Sequence, residues 1–244
     1  MNEVIGIPPV YANLSSCVLY LRGEGPNGNT RFRDWSSYRN TVSIGAGSPV
    51  NSSTARFPPC SISLPGSAYL QTPSFSDCVI GTSPFMISFW MNSSTVPSGY
   101  GGVLAQDYNY GVPINGMWRV GSFHNGSGDL SFVYCYNSNY YNNSANYNPN
   151  DGNWHFVQIF RNTTNQTPNN SICIYVDNNS KLSTAINSDV SLGVNAGYIT
   201  VGWESADNAY YIGNIDEVAF WNGAIGVIPT QAEVYSAVGR RMIV

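Results

Sequence analysis

Segment 134–147 concentrates the side chains of this sequence that are best suited to ligand binding. It is rich in tyrosine and asparagine and lies between two predicted strands. A buried loop could not satisfy so many hydroxyl and amide groups, so most of it is expected at the surface. Aromatic rings stack on the apolar C–H faces of sugars, and amides hydrogen-bond to sugar hydroxyls. The sequence therefore predicts a surface loop that binds a glycan, or alternatively a neighbouring subunit, through Tyr140, Tyr141 and Tyr147 as stacking rings and Asn142, Asn143 and Asn146 as polar contacts.

Acidic residues are the next candidates, because a pair of carboxylates could hydrolyse a glycosidic bond. Glu204 and Asp207 are separated by an odd number of positions, which places side chains on opposite faces of a strand. Asp216 and Glu217 are adjacent and are expected to diverge for the same reason. The sequence also lacks a Gly-x-Ser-x-Gly elbow for nucleophilic catalysis. No catalytic residue is predicted.

Alternating apolar residues predict that these side chains are carried by strands. Segments 154–160 and 172–177 alternate with a period of two around a polar excursion, as two antiparallel strands do. Around a dozen such short segments, separated by turn residues, predict an all-β, two-sheet antiparallel jelly-roll sandwich. The one predicted helix is short and C-terminal, because Thr230 and Glu233 have capping-box spacing and Gly239 can end it.

Three stretches of the chain carry a family resemblance. The first is Trp154-His155 with the alternating residues that follow, a polar excursion, and a strand ending in Tyr-Val-Asp. The second is CVLYLRGEGPNGNTRFRDWSS, which starts at Cys17, and the third is GNIDEVAFWNGAI, which starts at Gly213. In this order they resemble laminin G-like domains of the concanavalin A-like lectin/glucanase superfamily, and the second resembles those of bacteriophage structural proteins.

The resemblance implies one concanavalin A-like domain over residues 14–238, with an extended arm at 1–13 and a tail at 239–244. It also implies a structural Ca²⁺ ion, because relatives often hold one between the first strand and the last. Glu24 stands where such domains usually have Asp, and Asp216 occupies the acidic position of the closing motif. Carboxylates and backbone carbonyls are the ligands that Ca²⁺ requires. The alternative is that Asp216 caps a turn or pairs with an arginine.

Charged residues make up only 10% of the chain, and the net charge is -4. Arg22, Arg31, Arg33 and Arg39 form the only local basic concentration, with two acidic residues interleaved. Nucleic acid binding requires a dense basic face, so no nucleic-acid partner is predicted. The arginines are interpreted as a solvated strand edge or a subunit contact.

The sequence favours a protein made in a host cytoplasm and displayed outside it. No basic and apolar signal sequence follows Met1, no membrane-inserting segment occurs, and the five cysteines lack metal-site or complete disulfide-framework spacing. A neutral polar and aromatic surface suits exterior recognition. Three scattered cysteines, Cys17, Cys135 and Cys173, are expected to be buried thiols.

The leading hypothesis is a non-enzymatic virion surface protein. It would be a capsid decoration, fibre or tail component of a phage, whose lectin-like domain binds cell-surface glycans. Its expected partners are copies of itself and other virion subunits. Two alternatives are a purely architectural subunit-contact module that binds no sugar, and a degenerate glycosidase.

Overall fold

Two antiparallel sheets stack face to face in the computed structural model, which describes residues 16–74, 76–96, 100–106, 114–122, 127–162, 170–193 and 197–223. In chain order the strands are β1 (Cys17–Leu21), β2 (Ser43–Ala46), β3 (Val50–Ser52), β4 (Ser61–Pro65), β5 (Tyr69–Gln71), β6 (Phe85–Asn92), β7 (Gly101–Gln106), β8 (Trp118–Ser122), β9 (Leu130–Tyr136), β10 (Asn139–Ser144), β11 (Trp154–Asn162), β12 (Ser171–Val176), β13 (Asn179–Ala185), β14 (Thr200–Val201), β15 (Trp203–Glu204), β16 (Ala209–Tyr210) and β17 (Ile212–Asn222).

The eight-stranded sheet has the order β13-β12-β11-β6-β17-β4-β3, and β1 also pairs with β17. The seven-stranded sheet has the order β10-β9-β8-β7-β14-β5-β2, and β15 and β16 form a separate two-stranded hairpin. Every pairing among these strands is antiparallel. Some paired strands, such as β6 and β17, are far apart in sequence. The prediction of an all-β, two-sheet antiparallel sandwich is confirmed.

Strand β6 shows how the eight-stranded sheet buries both of its faces. Phe85, Ile87 and Phe89 lie in the core between the sheets. Met86 and Trp90, on the alternate positions, lie in a second apolar cluster on the other face. Both sets are buried, although only the first lies between the two sheets. We call the second cluster the outer aromatic cluster, since Trp35, Phe57, Trp154 and Tyr175 also pack against it.

Across the core, the seven-stranded sheet supplies large rings that meet those of the eight-stranded sheet. The ring centroids of Phe132 and Phe85 are 5.7 Å apart, and those of Trp118 and Phe220 are 5.9 Å apart. Complete burial of side chains of this size contributes about 1.5–3 kcal/mol each. The indole N–H of Trp118 donates to Gln106 Oε1 at 2.9 Å, so this buried polar group is satisfied.

The predicted central hairpin is present as β11 and β12, with Ile159 opposite Ile174. Asp177 and Asn178 form the two-residue turn that leads into β13, with φ angles of 51° and 62°. Asn and Asp tolerate this left-handed region, and two such residues give the turn type that suits a hairpin.

Strand β10 corrects the prediction of a loop at segment 134–147. Asn137 and Ser138, with φ angles of 49° and 60°, form a two-residue turn, after which the chain pairs back onto β9. Tight turns of this kind return the chain as a hairpin strand. The segment was expected at the surface, and residues 139–142 are indeed exposed, but they lie on the edge strand of a sheet.

The five cysteines all fall within the described residues, where each is a buried thiol. The expectation of buried thiols at Cys17, Cys135 and Cys173 is therefore confirmed. The predicted arm at 1–13, the C-terminal helix at 230–239 and the tail at 239–244 lie outside the described residues. Within the described part of the chain, no helix has the length and apolar character needed to cross a membrane.

Candidate ligand-binding face

Side chains of the seven-stranded sheet that point away from the core form what we call the outer face. The register places Asn142 beside Val133, Val133 beside Arg119, and Arg119 beside Ala105. Their neighbours along the strands, such as Phe132 and Trp118, point into the core. Side chains alternate along a strand, so the first set must project to the opposite side.

The strand geometry divides the predicted contacts of β10 between two sides. Tyr140 is paired with Cys135 and, like Asn142, belongs to the outer face. Tyr141 is paired with the core residue Tyr134, and their rings stack with centroids 5.1 Å apart and an interplanar angle of 7°. Asn143 lies on this inner side too, and its amide donates to the Phe132 carbonyl at 3.1 Å. Neighbours in the sequence therefore do not form one contiguous set.

The remaining two predicted contacts lie beyond the end of β10. Asn146 has a φ angle of 48°, and its backbone N–H donates to the Ser144 hydroxyl at 3.2 Å, which makes it part of a local turn. Tyr147 packs edge-on against His155, with ring centroids 6.0 Å apart, and Lys181 Nζ lies 4.2 Å from the centre of its ring. Burial, followed by the charges of two nearby aspartates, raises the pKa of Tyr147. Tyr147 therefore belongs to the sandwich edge near β13.

Arg119 occupies the middle of the outer face and binds two carboxylates. Its Nη1 atom lies 2.7 Å from Glu204 Oε2 and 2.5 Å from Asp207 Oδ2. Glu204 is fully buried, whereas the Asp207 side chain is one-third exposed. Burial alone would lower the pKa of Arg119, but the two negative charges outweigh it and raise the pKa above its ordinary value. The guanidinium carbon also lies 5.1 Å from the ring centre of Tyr140, at a cation–π distance.

This cluster overturns the expectation that Glu204 and Asp207 point in opposite directions. The expectation assumed a continuous strand, but β15 ends at Glu204 and a turn follows. The N–H of Asp207 donates back to both carboxylate oxygens of Glu204, at 3.0 and 3.2 Å, so the turn brings the two acids to the same guanidinium. Sequence spacing could not reveal this, because it depends on where the strand stops.

The β15–β16 hairpin lies on the outer face because β7 presents a glycine beneath it. A β carbon at Gly102 would lie 2.7 Å from both the backbone nitrogen and Cγ of Glu204. Any larger residue would separate the hairpin from the sheet. Ala206, which lies between β15 and β16, packs with Met117 and Cys135.

The hairpin completes an aromatic cluster that the sequence reasoning missed. Trp203 of β15 stacks on Tyr69 of β5, with ring centroids 4.6 Å apart and an interplanar angle of 23°. Tyr210 of β16 lies within 6.4 Å of Tyr69 and 6.2 Å of Trp203. All three rings are partly exposed, and the indole N–H of Trp203 donates to Asn208 Oδ1 at 3.1 Å. We call Tyr69, Trp203 and Tyr210 the ring platform. The available sequence signal was a pair of aromatic residues flanking the turn-forming Asp207-Asn208.

The ring of Tyr69 also needs a glycine beneath it. A β carbon at Gly45, in the edge strand β2, would lie 1.9 Å from Cε2 of Tyr69. The ring can therefore lie across β2 only because that position has no side chain. The outer face consequently presents rings at two places, Tyr140 near β10 and the ring platform near β2, with the Arg119 cluster between them.

The other acidic pair, Asp216 and Glu217, also departs from the expectation of divergence. The pairing of β17 with β6 shifts between Asp216 and Ala219, and Glu217 has a φ angle of 53°. A bulge of this kind lets two successive side chains emerge on one side. Both carboxylates face the outer aromatic cluster: Asp216 Oδ2 accepts the N–H of Phe57 at 3.2 Å, and Glu217 accepts the hydroxyl of Tyr20.

The calcium prediction rests on Glu24 and Asp216, whose carboxylates already have protein partners. Glu24 Oε1 lies 2.7 Å from Nε of Arg22. Asp216 is fully buried, and its second oxygen accepts the N–H of Glu217 at 3.0 Å, which supports the alternative that it stabilises a turn. No group of three or more His, Cys, Asp or Glu side chains is placed to hold a metal within the described ranges. Calcium binding stays a prediction.

His155, at the sandwich edge, lies between two carboxylates. Nδ1 is 2.7 Å from Asp177 Oδ2 and Nε2 is 3.0 Å from Asp151 Oδ1. Burial alone would lower the pKa of His155, but the hydrogen bonds to Asp177 and Asp151 outweigh it and raise the pKa. This histidine therefore fastens the bend at Asp151, before β11, to the β12–β13 turn.

Comparison with known proteins agrees with this architecture. A family model described as the concanavalin A-like lectin/glucanases superfamily matches residues 64–227. A search of curated proteins gives no match.

Several solved structures share the fold at low sequence identity. The binding domain of Paraclostridial Mosquitocidal Protein 1 aligns with a TM-score of 0.63 and 14% identity, over 92% of this chain and 52% of that one. The binding domain of botulinum neurotoxin DC, in complex with rat synaptotagmin II, aligns with a TM-score of 0.61 and 15% identity, over 92% and 51%. Domain 4 of AbnA, an extracellular arabinanase from Geobacillus stearothermophilus, in complex with arabinotriose, aligns with a TM-score of 0.60 and 16% identity, over 84% and 91%.

The chain thus spans about half the length of the two toxin binding domains and most of the arabinanase domain. At these identities the likeness shows the fold alone. The family match covers well over half of the chain, and the described residues form the expected two-sheet sandwich. The protein belongs to the concanavalin A-like lectin/glucanases superfamily.

Proposed function

We propose that this chain is a non-catalytic, lectin-like module that binds glycans through the outer face of the seven-stranded sheet. The observation that carries the proposal is the placement of exposed rings on either side of a polar centre. Tyr140 lies at one end, the ring platform at the other, and Arg119 with Asp207 between them. Rings can stack on sugar C–H faces while the charged groups and Asn142 bond to hydroxyls.

The carboxylates of this face are suited to binding and poorly suited to glycoside hydrolysis. Hydrolysis needs one carboxylic acid that holds a proton and one free carboxylate. Glu204 and Asp207 both bind Nη1 of Arg119, so neither is a free carboxylate, and Glu204 is fully buried. Asp216 and Glu217 are almost fully buried, away from any substrate.

The solved structures of similar fold support a binding role by analogy. One is a domain in complex with arabinotriose, and two are binding domains of toxins, one of them in complex with synaptotagmin. Fold analogy does not fix a ligand, so the residues of the outer face carry the assignment here.

We further propose that the module is displayed on a virion surface after synthesis in a host cytoplasm, as a capsid decoration, fibre or tail component assembled with other virion subunits and with copies of itself. The support is the resemblance of the stretch that starts at Cys17 to laminin G-like domains of phage structural proteins. Immunogold imaging of particles from the source would test this display independently of sugar binding.

Sugar binding is tested with a glycan array that includes arabino-oligosaccharides, followed by titration calorimetry with the best glycan. Tyr140→Ala and Trp203→Ala should each weaken binding by at least about tenfold, because stacking rings are typical hot spots. Tyr38→Ala is the matched control, because Tyr38 is 40% exposed and Tyr140 is 41% exposed, but Tyr38 lies in the loop after β1. It should leave affinity unchanged.

Two outcomes would contradict the proposal. If no array glycan binds the native protein, the alternative of a purely architectural module gains support. If Tyr141→Ala removes binding while Tyr140→Ala and Trp203→Ala do not, the ligand lies on the edge of the sandwich and the outer face is the wrong surface. Melting temperatures of all variants show whether lost binding reflects lost folding.

A further inference from the structure

A cluster of three arginines around Trp35 lies on the opposite side of the sandwich from the outer face. Three guanidinium groups approach this one indole: the distances from their central carbons to the ring centre are 4.2 Å for Arg22, 4.5 Å for Arg33 and 5.4 Å for Arg39. Each distance is within cation–π range. Trp35 packs against the outer aromatic cluster of the eight-stranded sheet, so this site is separate from the outer face described above.

The loop that carries these arginines is held by a buried carboxylate. Asp34 is 1% exposed, and its oxygens accept hydrogen bonds from the backbone N–H of Tyr20, the N–H and hydroxyl of Ser36, and the N–H and amide of Asn40. The N–H of Trp35 donates to the Tyr20 carbonyl at 2.7 Å. The acid therefore anchors its own loop, and the positions on either side of it are fixed against β1.

The three arginines differ in whether they form an ion pair. Arg22 is paired with Glu24 at 2.7 Å. Arg33 and Arg39 are exposed and form no ion pair with any residue that the structure describes. Their stacking on Trp35 restrains long side chains that would otherwise lose conformational freedom on binding. Two guanidinium groups are thus held against the same indole with hydrogen-bond donors available.

We propose that Arg33 and Arg39 bind the sulfate or carboxylate group of an acidic glycan. A guanidinium donates two parallel hydrogen bonds to such an oxyanion, and these charge-assisted bonds are stronger than neutral ones. The net charge of -4 opposes binding of a long polyanion such as nucleic acid. The loop offers a single indole that already has three guanidinium groups within cation–π distance, whereas binding of single-stranded nucleic acid uses several aromatic rings on which successive bases stack.

This anion site is a second binding function, beyond the proposed glycan binding by the outer face. It does not depend on that proposal, because the residues and the side of the sandwich both differ. Arg56, which lies 4.5 Å from the ring centre of Trp90 in the same outer aromatic cluster, extends the basic surface.

The test uses the full chain and four probes. Three are hexasaccharides of equal length, one sulfated, one containing uronic acid and one neutral. The fourth is a single-stranded oligonucleotide with the same charge as the sulfated hexasaccharide. Binding is measured by calorimetry at low and at physiological salt, and inorganic sulfate and phosphate serve as competitors. The double variant Arg33→Gln with Arg39→Gln should weaken binding of an acidic hexasaccharide by at least about tenfold. Arg31→Gln is the control, since Arg31 is an exposed arginine of the same loop without a contact to Trp35.

The expected result is that the native protein binds at least one acidic hexasaccharide, that the neutral one does not compete for this site, and that Arg31→Gln retains the affinity. A preference for sulfate over uronic acid, or the reverse, identifies the oxyanion. The proposal is overturned if neither acidic hexasaccharide binds, if Arg31→Gln weakens binding as much as the double variant, or if the oligonucleotide binds as well as the acidic sugars. Loss of outer-face binding in Trp203→Ala with acidic-sugar binding retained would show that the two sites are independent.

Discussion

Arg119 is the residue whose removal gives the sharpest test of how the outer face is held together. Arg119→Met keeps most of the side-chain volume and removes the charge, which leaves Glu204 fully buried beside Asp207. Removing one partner of a buried ion pair lowers the free energy of unfolding by about 3–5 kcal/mol. For a chain of this length, 1 kcal/mol shifts the melting temperature by about 2–4 °C, so a fall of about 6–20 °C is expected.

The assay is calorimetric unfolding of a matched set of variants. Arg22→Met is the control, because its ion pair with Glu24 is also 2.7 Å long but its side chains are 22% and 26% exposed. Removal of this partly exposed pair should cost no more than about 1 kcal/mol, and loss of the contact between Arg22 and Trp35 about 0.5–1 kcal/mol more. The double variant Arg119→Met with Glu204→Met removes both buried charges and should regain most of the lost stability.

Equal losses in Arg119→Met and Arg22→Met would refute the reasoning, since Glu204 would then behave as a hydrated carboxylate. If the double variant recovers nothing, the loss comes from packing of the arginine stem and not from an uncompensated charge. In either case the β15–β16 hairpin would need another source of attachment to the sheet.

Two further predictions concern protons and metal. The raised pKa of His155 means that its ion pairs stabilise the fold fully below the unfolded value of 6.5, and that this stabilisation is lost as pH rises through the folded pKa. The difference in melting temperature between the native protein and His155→Gln should therefore be largest near pH 5.5 and should shrink towards pH 9; a difference that does not change with pH would count against the ion pairs. Asp151, whose pKa is lowered to about 2, should remain ionised across that range. For the predicted calcium site at Glu24 and Asp216, the melting temperature should be higher in Ca²⁺ than in EDTA, and Asp216→Asn should remove the difference. Identical melting temperatures in the two buffers would eliminate the site.

Strands were predictable from the sequence because side chains alternate between the two faces of a strand with a period of two. Segment 154–160, predicted as a strand, lies within β11, and β12 contains all but the last residue of segment 172–177. These features are local, so neighbouring residues are sufficient to specify them.

Strand β10 was missed because its side chains give no apolar alternation. Its residues are polar or exposed on both sides, since it is an edge strand, and only pairing with β9 makes it a strand. The tight turn at Asn137-Ser138 was the usable signal. Treating the segment as a loop grouped Tyr140 and Tyr141 together, whereas the pleat separates them.

By itself, the sequence determined the all-β class, the family, the principal strands and the enrichment of aromatic and amide groups on the surface. Tertiary structure alone decided which of those groups meet. A β-bulge places Asp216 beside Glu217, and the turn after β15 brings Glu204 and Asp207 to Arg119. Tyr69 and Trp203 are far apart in the chain and stack only because β5 and β14 pair while a glycine admits the hairpin onto β7. The physical reason is that sequence periodicity reports the direction of each side chain relative to its own strand, whereas a binding face is assembled from several strands whose pairing and irregularities are set by long-range packing.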